Sequence, residues 1–318
     1  MPSTGLRPLS DLTTGETLVE AGKSRGVPIP WWSKIAAKMI LARVLTSYPT
    51  RKAFGLFRHG ASDANIEAER ILYDAAIAWH RDYGGGPLAA ALELGPGDSA
   101  GSALFFAAAG ASRTWLIDVG DFATRDMVVY RRIADLIERR TPGRLTHISW
   151  TDRDSLLASL GACYLTRGMQ AFGDVPSDSV DLVFSKSVLE HVRRAEFAGL
   201  LAETFRVLRP GGIAHHRIDL MDHLGGALNN LRFRHDFWES QFVVNSGFYS
   251  NRLRHSEIVA AMRAAGFELA VTHVRRWPAP TLPRSKLAAP FRTFSDDELR
   301  IANFGVLLRK PVQAGLPA

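Results

Sequence analysis

The stretch LELGPGDSAGSA, from Leu92 to Ala103, sets three glycines and a proline between an apolar run (88–92) and an alanine-rich run (103–109). That order reads as strand, tight turn, helix. Glycine at such a turn lets backbone N–H groups close on a bulky ligand. It also lets the first turn of the helix press onto the strand. Few folds use such a turn, and most of them are layered α/β architectures.

The rest of the chain fits that class. Strands are expected at 88–94, 114–119, 146–150, 180–185, 212–220, 268–274 and 304–308, and helices at 102–109, 125–140, 152–160, 195–208 and 255–265. Strands alternating with helices argue for βαβ units in an open, doubly wound, mostly parallel sheet of seven strands. Ligands in such sheets sit beyond the carboxyl ends of the strands. The last two strands flank a Pro/Arg-rich stretch, 277–300, which suits a hairpin-like pair. Upstream, residues 1–30 read as poorly ordered. Residues 31–45 read as an amphipathic helix with Trp31, Trp32, Lys34, Lys38 and Arg43, packed over the main domain or lying on a membrane surface; the first reading is preferred. A second helix is expected over 61–83, stopped by Gly84-Gly85-Gly86-Pro87.

Composition narrows the function classes. The 318 residues are 46% hydrophobic and 22% charged, an ordinary globular balance. No apolar run is long enough to span a bilayer, and no leader pattern opens the chain, so a cytoplasmic protein is expected. The single cysteine, Cys163, precludes an internal disulfide and a cysteine-built zinc centre. The net charge of +7 is carried mostly by arginine. These arginines are scattered rather than gathered into a stripe, which argues against a nucleic-acid footprint.

Glycine turns of this kind serve dinucleotides, nucleoside phosphates or S-adenosylmethionine. No Gly-Lys-Ser/Thr follows, so this is not a P-loop. Asp118 ends the second strand about 20 residues on, where an acid accepts hydrogen bonds from ribose hydroxyls. Further along, DSVDLVFSKSVLEHV (178–192) is followed by ETFRVLRPGGIAHHRIDL (203–220). Together with Glu93-Leu94-Gly95-Pro96-Gly97, these stretches resemble the class I S-adenosylmethionine-dependent methyltransferases, of the type 11 kind. In that family an aspartate-led apolar strand, a short helix and an LRPGG turn follow in this order. The resemblance covers residues 88–220 and extends through Ala264 to Val274. LELGPGDSAGSALFFAAAGA, HRIDLMDH and NRLRHSEIVAAMRAAGF also look like a bacterial subgroup associated with surface-glycan or small-molecule modification.

The resemblance implies a Rossmann-like core with S-adenosylmethionine as cosubstrate. The cofactor-binding residues it implies are Glu93, Gly95, Pro96, Gly97, Asp98, Ser99, Gly101, Asp118, Val119, Asp174, Ser185 and Lys186. The chain departs from the family where Ser99 replaces a frequent glycine. The interval after the expected third strand is also long, which leaves Asp152, Tyr164 and Asp174 as candidates for the adenine contact. The resemblance divides the chain into an N-terminal extension, partly disordered then helical (1–86), an S-adenosylmethionine-binding core (87–222), an acceptor-side lid with the C-terminal strands (223–312) and a tail (313–318).

Transfer from a sulfonium asks the protein mainly for positioning, plus a base when the acceptor must lose a proton. The candidates are His223 beside Asp222, which would suit a carboxylate-held base, a metal ligand or a loop cap, and His191, whose alternative is packing against the cofactor. His215 and His216 face opposite sides of their strand and read as structural. The aromatic, arginine-rich segment 233–255 reads equally as an acceptor lid or as a patch covering the sheet. A small-molecule or glycan acceptor, methylated at oxygen or nitrogen, is the expected partner. The alternatives are an RNA-directed methyltransferase and an NAD-linked oxidoreductase or non-catalytic nucleotide-binding module. Ser185-Lys186-Ser187-Val188 stands where an amino-methylating nucleic-acid enzyme carries its Asn/Asp-Pro-Pro-aromatic turn, which argues against the first.

Overall fold

The computed structural model describes residues 6–19, 33, 63–222 and 227–312. The glycine turn lies inside an eight-stranded sheet of order β1-β7-β8-β6-β5-β2-β3-β4. The strands are β1 (Gly15–Leu18), β2 (Ala90–Leu94), β3 (Arg113–Ile117), β4 (Ala162–Leu165), β5 (Val180–Lys186), β6 (Leu208–Asp219), β7 (Glu268–Arg276) and β8 (Ile301–Arg309). Only β8 runs antiparallel to its neighbours, β6 and β7. The helices are α1 (Asp63–Tyr83), α2 (Ser102–Ala108), α3 (Met127–Arg140), α4 (Arg153–Ser159), α5 (Phe197–Val207), the four-residue α6 (His235–Trp238) and α7 (Gln241–Val244), α8 (His255–Ala264) and the four-residue α9 (Asp296–Leu299).

The central strands are buried on both faces, as parallel strands covered by helices must be. One core packs Phe197, Leu201, Ile258 and Met262 of α5 and α8 against Val183, Ala214 and Phe304. The other packs α1 to α4 against Leu116, Leu182 and Leu307. The aspartate that leads β5 has a structural task. Asp181 is buried and accepts the N–H groups of Ala89 and Ala90 at 2.8 and 2.7 Å, while Arg209 of the LRPGG turn pairs with its other oxygen.

Two expectations change. The strand expected at 146–150 does not form. His147 sits at φ 58°, and Trp150 packs instead under the guanidinium of Arg131, 5.0 Å away. The strand at that place in the sheet is β4, which follows α4 after Gly161 turns the chain at φ 65°. The N-terminal region also contributes an eighth strand. Its four residues are all exposed, so the strand carries no hydrophobic pattern. It is held by parallel pairing to β7, by the Thr14 hydroxyl donating to Val271 O at 2.8 Å, and by Leu9, which is buried in the second core. The helix expected at 31–45 and the tail at 313–318 lie outside the described residues, apart from Ser33, which is helical.

The Asp181 arrangement yields a stability prediction. Asp181→Ala leaves Arg209 and two N–H groups without their partner, and should cost about 3–5 kcal/mol in urea unfolding. A loss within error of zero would show that β2 and β5 do not depend on this carboxylate.

Candidate functional site

The carboxyl ends of β2, β3 and β4 are laced together. Gly95 N–H donates to Ile117 O at 2.8 Å, Asp118 N–H to Leu165 O at 2.9 Å, and Gly168 N–H to Asp118 O at 2.8 Å. The Asp118 side chain adds two more ties, accepting Gly97 N–H at 3.0 Å and Val119 N–H at 2.7 Å. Burial raises its pKa, and those two N–H groups work against the rise. Gly95 and Gly97 both adopt φ 64°, and a Cβ on Gly95 would stand 2.4 Å from a methyl of Val188. At the rim, Val119 is 78% exposed, an apolar surface next to a buried acid.

Above this turn lies a cleft of about 450 Å³. The turn from Gly95 to Ser99 lines it together with Glu93, Phe184, Lys186 and Ser187, and α1 closes it with Glu69 and Tyr73. Among the described residues, its lining carries four carboxyl groups, Glu69, Glu93, Asp98 and Asp126, and one cation, Lys186. Glu93 is buried. It accepts the Tyr73 hydroxyl at 2.9 Å, and its second oxygen has no hydrogen-bond partner among the described residues. Burial pushes its pKa up to about 8, held back in part by the hydroxyls of Ser102 and Tyr73.

A second cleft of about 230 Å³ adjoins the first and shares Leu72, Lys186 and Ser187 with it. Its floor is a sheet face set by register. Lys186 pairs with Arg217, Arg217 with Gly305, and Gly305 with His273. Two residues on, Asp219 pairs with Asn303, Asn303 with Arg275, and Arg275 with Thr17. Residues two apart share a strand face, so both rows look into the same cleft. Burial lowers the His273 pKa to about 4, with Arg217 adding to the shift, and burial raises that of Asp219.

The structure brings Glu93, Gly95, Pro96, Gly97, Asp98, Ser99 and Lys186 together around the first cleft. Asp118 and Val119 stand beside the turn, as their hydrogen bonds require. Gly101 serves packing instead: a Cβ there would lie 2.3 Å from Ile133 of α3. Ser185 points away from the clefts, and its hydroxyl lies 2.8 Å from Nδ1 of the buried His216. Asp174 is ion-paired with Arg167 on an exposed surface. Asp152 caps α4, accepting Ser155 N–H at 2.7 Å, and the Tyr164 hydroxyl donates to Gly120 O at 2.9 Å. His191 is exposed at the surface with Nδ1 2.9 Å from Tyr249 O, and desolvation of its ring lowers its pKa. Asp222 accepts Asn229 N–H at 2.5 Å, a loop-closing contact. His223 lies outside the described residues. In the segment proposed as a lid, Trp238 stacks on Phe233 at 5.3 Å, and Arg252 lies 5.0 Å from both the Trp238 and Phe291 rings. These rings are occupied in packing. The second cleft went unread in the sequence, although His215, Arg217 and Asp219 recur at spacing two along β6.

A family profile described as a methyltransferase domain matches residues 158–215, from the end of α4 through β4, β5 and α5 into β6. Over these residues the chain is similar to a methyltransferase domain. Comparison with curated proteins gives no match. Three solved structures are similar to this chain at low identity. The Burkholderia thailandensis 1,6-didemethyltoxoflavin-N1-methyltransferase is 13% identical over 90% of this chain and 93% of that one, with a TM-score of 0.42. The cyclase SpnF is 17% identical over 77% and 82%, with a TM-score of 0.42. The arsenic(III) methyltransferase CrArsM of Chlamydomonas reinhardtii is 15% identical over 77% and 75%, with a TM-score of 0.39. Among the described residues, no helix is long and apolar enough to cross a membrane.

Glu93 gives this site a pH signature. Its folded pKa lies above the ordinary 4.5, so it has no effect below that pH. Between pH 4.5 and about 8 the unfolded chain ionises while the folded one resists, and stability falls as pH rises. Glu93→Gln should remove that loss, so its thermal midpoint should gain on the parent from pH 5 to 8. Parallel midpoint profiles would dismiss the assignment.

Proposed function

We propose that the first cleft binds S-adenosylmethionine and that the second presents a small-molecule or glycan acceptor to it, for methylation at oxygen or nitrogen. The observation that carries this reading is the acidic lining of the glycine-turn cleft, which suits a cosubstrate bearing a sulfonium and an ammonium. In the proposal, the turn from Gly95 to Ser99 holds the cosubstrate by its backbone and Asp118 accepts the ribose hydroxyls. Val119 packs at the rim, and Glu93 faces the positive end. Lys186 stands at the junction of the two clefts. The proposed division by chain position keeps the glycine turn in the 87–222 core, but the clefts cross it: α1 closes the first, and the second draws on residues 186–219 as well as 273–304.

When bound, the cosubstrate supplies an activated methyl group with its own leaving group. The protein's share is positioning, exclusion of water and removal of the acceptor's proton. Asp219 is the proposed base: among the described residues it is the one carboxylate in the lining of the second cleft, and burial raises its pKa. His223, Asp222 and His191 are the competing candidates. In a turnover assay with an acceptor that the protein methylates, Asp219→Asn should lower kcat while leaving S-adenosylhomocysteine affinity unchanged. Full kcat in that variant, with loss in His223→Ala, would move the role to His223.

Calorimetric titration tests the cosubstrate directly. S-adenosylmethionine and S-adenosylhomocysteine should bind and NADH should not. Asp118→Ala should weaken both by about 1–3 kcal/mol, the scale of hydrogen bonds to a charged group. Binding of NADH alone would overturn the reading.

A further inference from the structure

We propose that the second cleft recognises an anionic acceptor, a small molecule bearing a carboxylate or a phosphate, through Arg217, Arg275 and Lys186. The inference rests on the reading that this cleft is the acceptor side of the methyltransferase.

The charge inventory comes first. Among the described residues, the lining holds three cations, Lys186, Arg217 and Arg275, against one carboxylate, Asp219, a surplus of two positive charges. None of the three cations makes a side-chain hydrogen bond or ion pair of less than 4 Å among the described residues. Two neighbouring arginines of the sheet are paired: Arg276, next to Arg275, lies 2.9 Å from Glu16, and Arg309 lies 2.5 Å from Glu268. What sets the three cations apart is that they stand together in one cleft.

Arg217 is the decisive member. It is half-buried in the middle of the sheet face, and burial lowers its pKa with no carboxylate to offset the loss. Desolvating a guanidinium without a counter-charge costs free energy unless a ligand provides one. The space for that ligand is the cleft of about 230 Å³ that Arg217 lines. Gly305 lies between Arg217 and His273 in the register, and its missing side chain leaves room for the His273 ring, which a Cβ there would meet at 2.5 Å. A planar guanidinium lining such a cleft suits two-point contact with a carboxylate or phosphate.

The cosubstrate does not account for these cations. Arg217 and Arg275 line only the second cleft, while the first carries four carboxyl groups and shares only Lys186. The sign of the lining thus reverses across the Lys186–Ser187 junction. A cationic donor suits one side and an anionic acceptor the other.

The test is calorimetric titration of the full chain with inorganic phosphate, benzoate and neutral benzamide, at low ionic strength, with and without saturating S-adenosylhomocysteine. Phosphate or benzoate should bind saturably and benzamide should not; the preferred anion identifies the acceptor's charged group. Arg217→Gln and Arg275→Gln should each weaken anion binding, by about tenfold or more for Arg217→Gln, and Arg217→Lys should retain part of it. The thermal midpoint of Arg217→Gln should hold or rise, because an uncompensated cation has been removed, so that lost binding is not lost folding. Its affinity for S-adenosylhomocysteine should be unchanged. Equal binding of benzamide, no anion binding, or anion binding that survives Arg217→Gln overturns the proposal. So does a loss of S-adenosylhomocysteine affinity in that variant, which would assign the cation to the cosubstrate's carboxylate. If the parent protein binds phosphate through Arg217 but does not bind S-adenosylhomocysteine, the anion site stands and the cosubstrate reading falls.

Discussion

The Asp118 carboxylate joins two loops that leave neighbouring strands, one oxygen taking Gly97 N–H and the other Val119 N–H. Backbone bonds from Gly95, Asp118 and Gly168 extend the same lacing to β4. Loops at the carboxyl edge of an open sheet are otherwise tethered only by their strands. Here they are fixed to each other, and the first cleft inherits its shape from that fixing. The two glycines at φ 64° are part of the same construction, since a side chain at Gly95 would displace Val188 and the segment after β5. A site on a rigid edge of this kind can hold reacting groups at set distances, which is the main demand of an in-line displacement.

The second cleft is built by different means. Its residues come from β5, β6, β7, β8 and β1 and meet because strand register places them in two rows. The opposite face at the same level is closed and neutral, with Ser185 paired to His216 inside the core. One turn of the pleat therefore separates a dry structural pair from an open charged floor. The two histidines of β6 illustrate the division: both are buried, and burial drives both to low pKa, about 3 for His215 and about 4 for His216. They are neutral packing groups on either side of a strand whose next residue, Arg217, is charged.

Local patterns made the fold legible in the sequence. The glycine turn, the acid after β3, the aspartate of β5 and the LRPGG turn are each contiguous, and each appears where its spacing placed it. The segment 146–150 looked like a strand because its apolar residues are needed for packing, whereas β4 is only four residues long and hides behind Gly161. β1 was invisible for a different reason, since an exposed edge strand needs no hydrophobic alternation. The acceptor-side candidates were sought in loops because loops commonly carry function. Asp222 is occupied in closing its own loop, and the aromatic segment after it is occupied in its own packing. The second cleft depends on register between strands far apart in sequence, which a linear reading does not contain. The recurrence of His215, Arg217 and Asp219 on one face of β6 was its only local trace.

The pairing of β1 with β7 has a consequence in time. Thr14 bonds to Val271 across 257 positions, and Arg309 reaches Arg7 across 302. During synthesis the first strand of the sheet emerges early and has no partner until β7 and β8 have left the ribosome. Such long-range contacts form late and add little to the early nucleus of folding. The N-terminal strand therefore acts as a final closure. It covers the outer edge of β7 and completes the wall of the second cleft with Thr17 only when the rest of the sheet is in place.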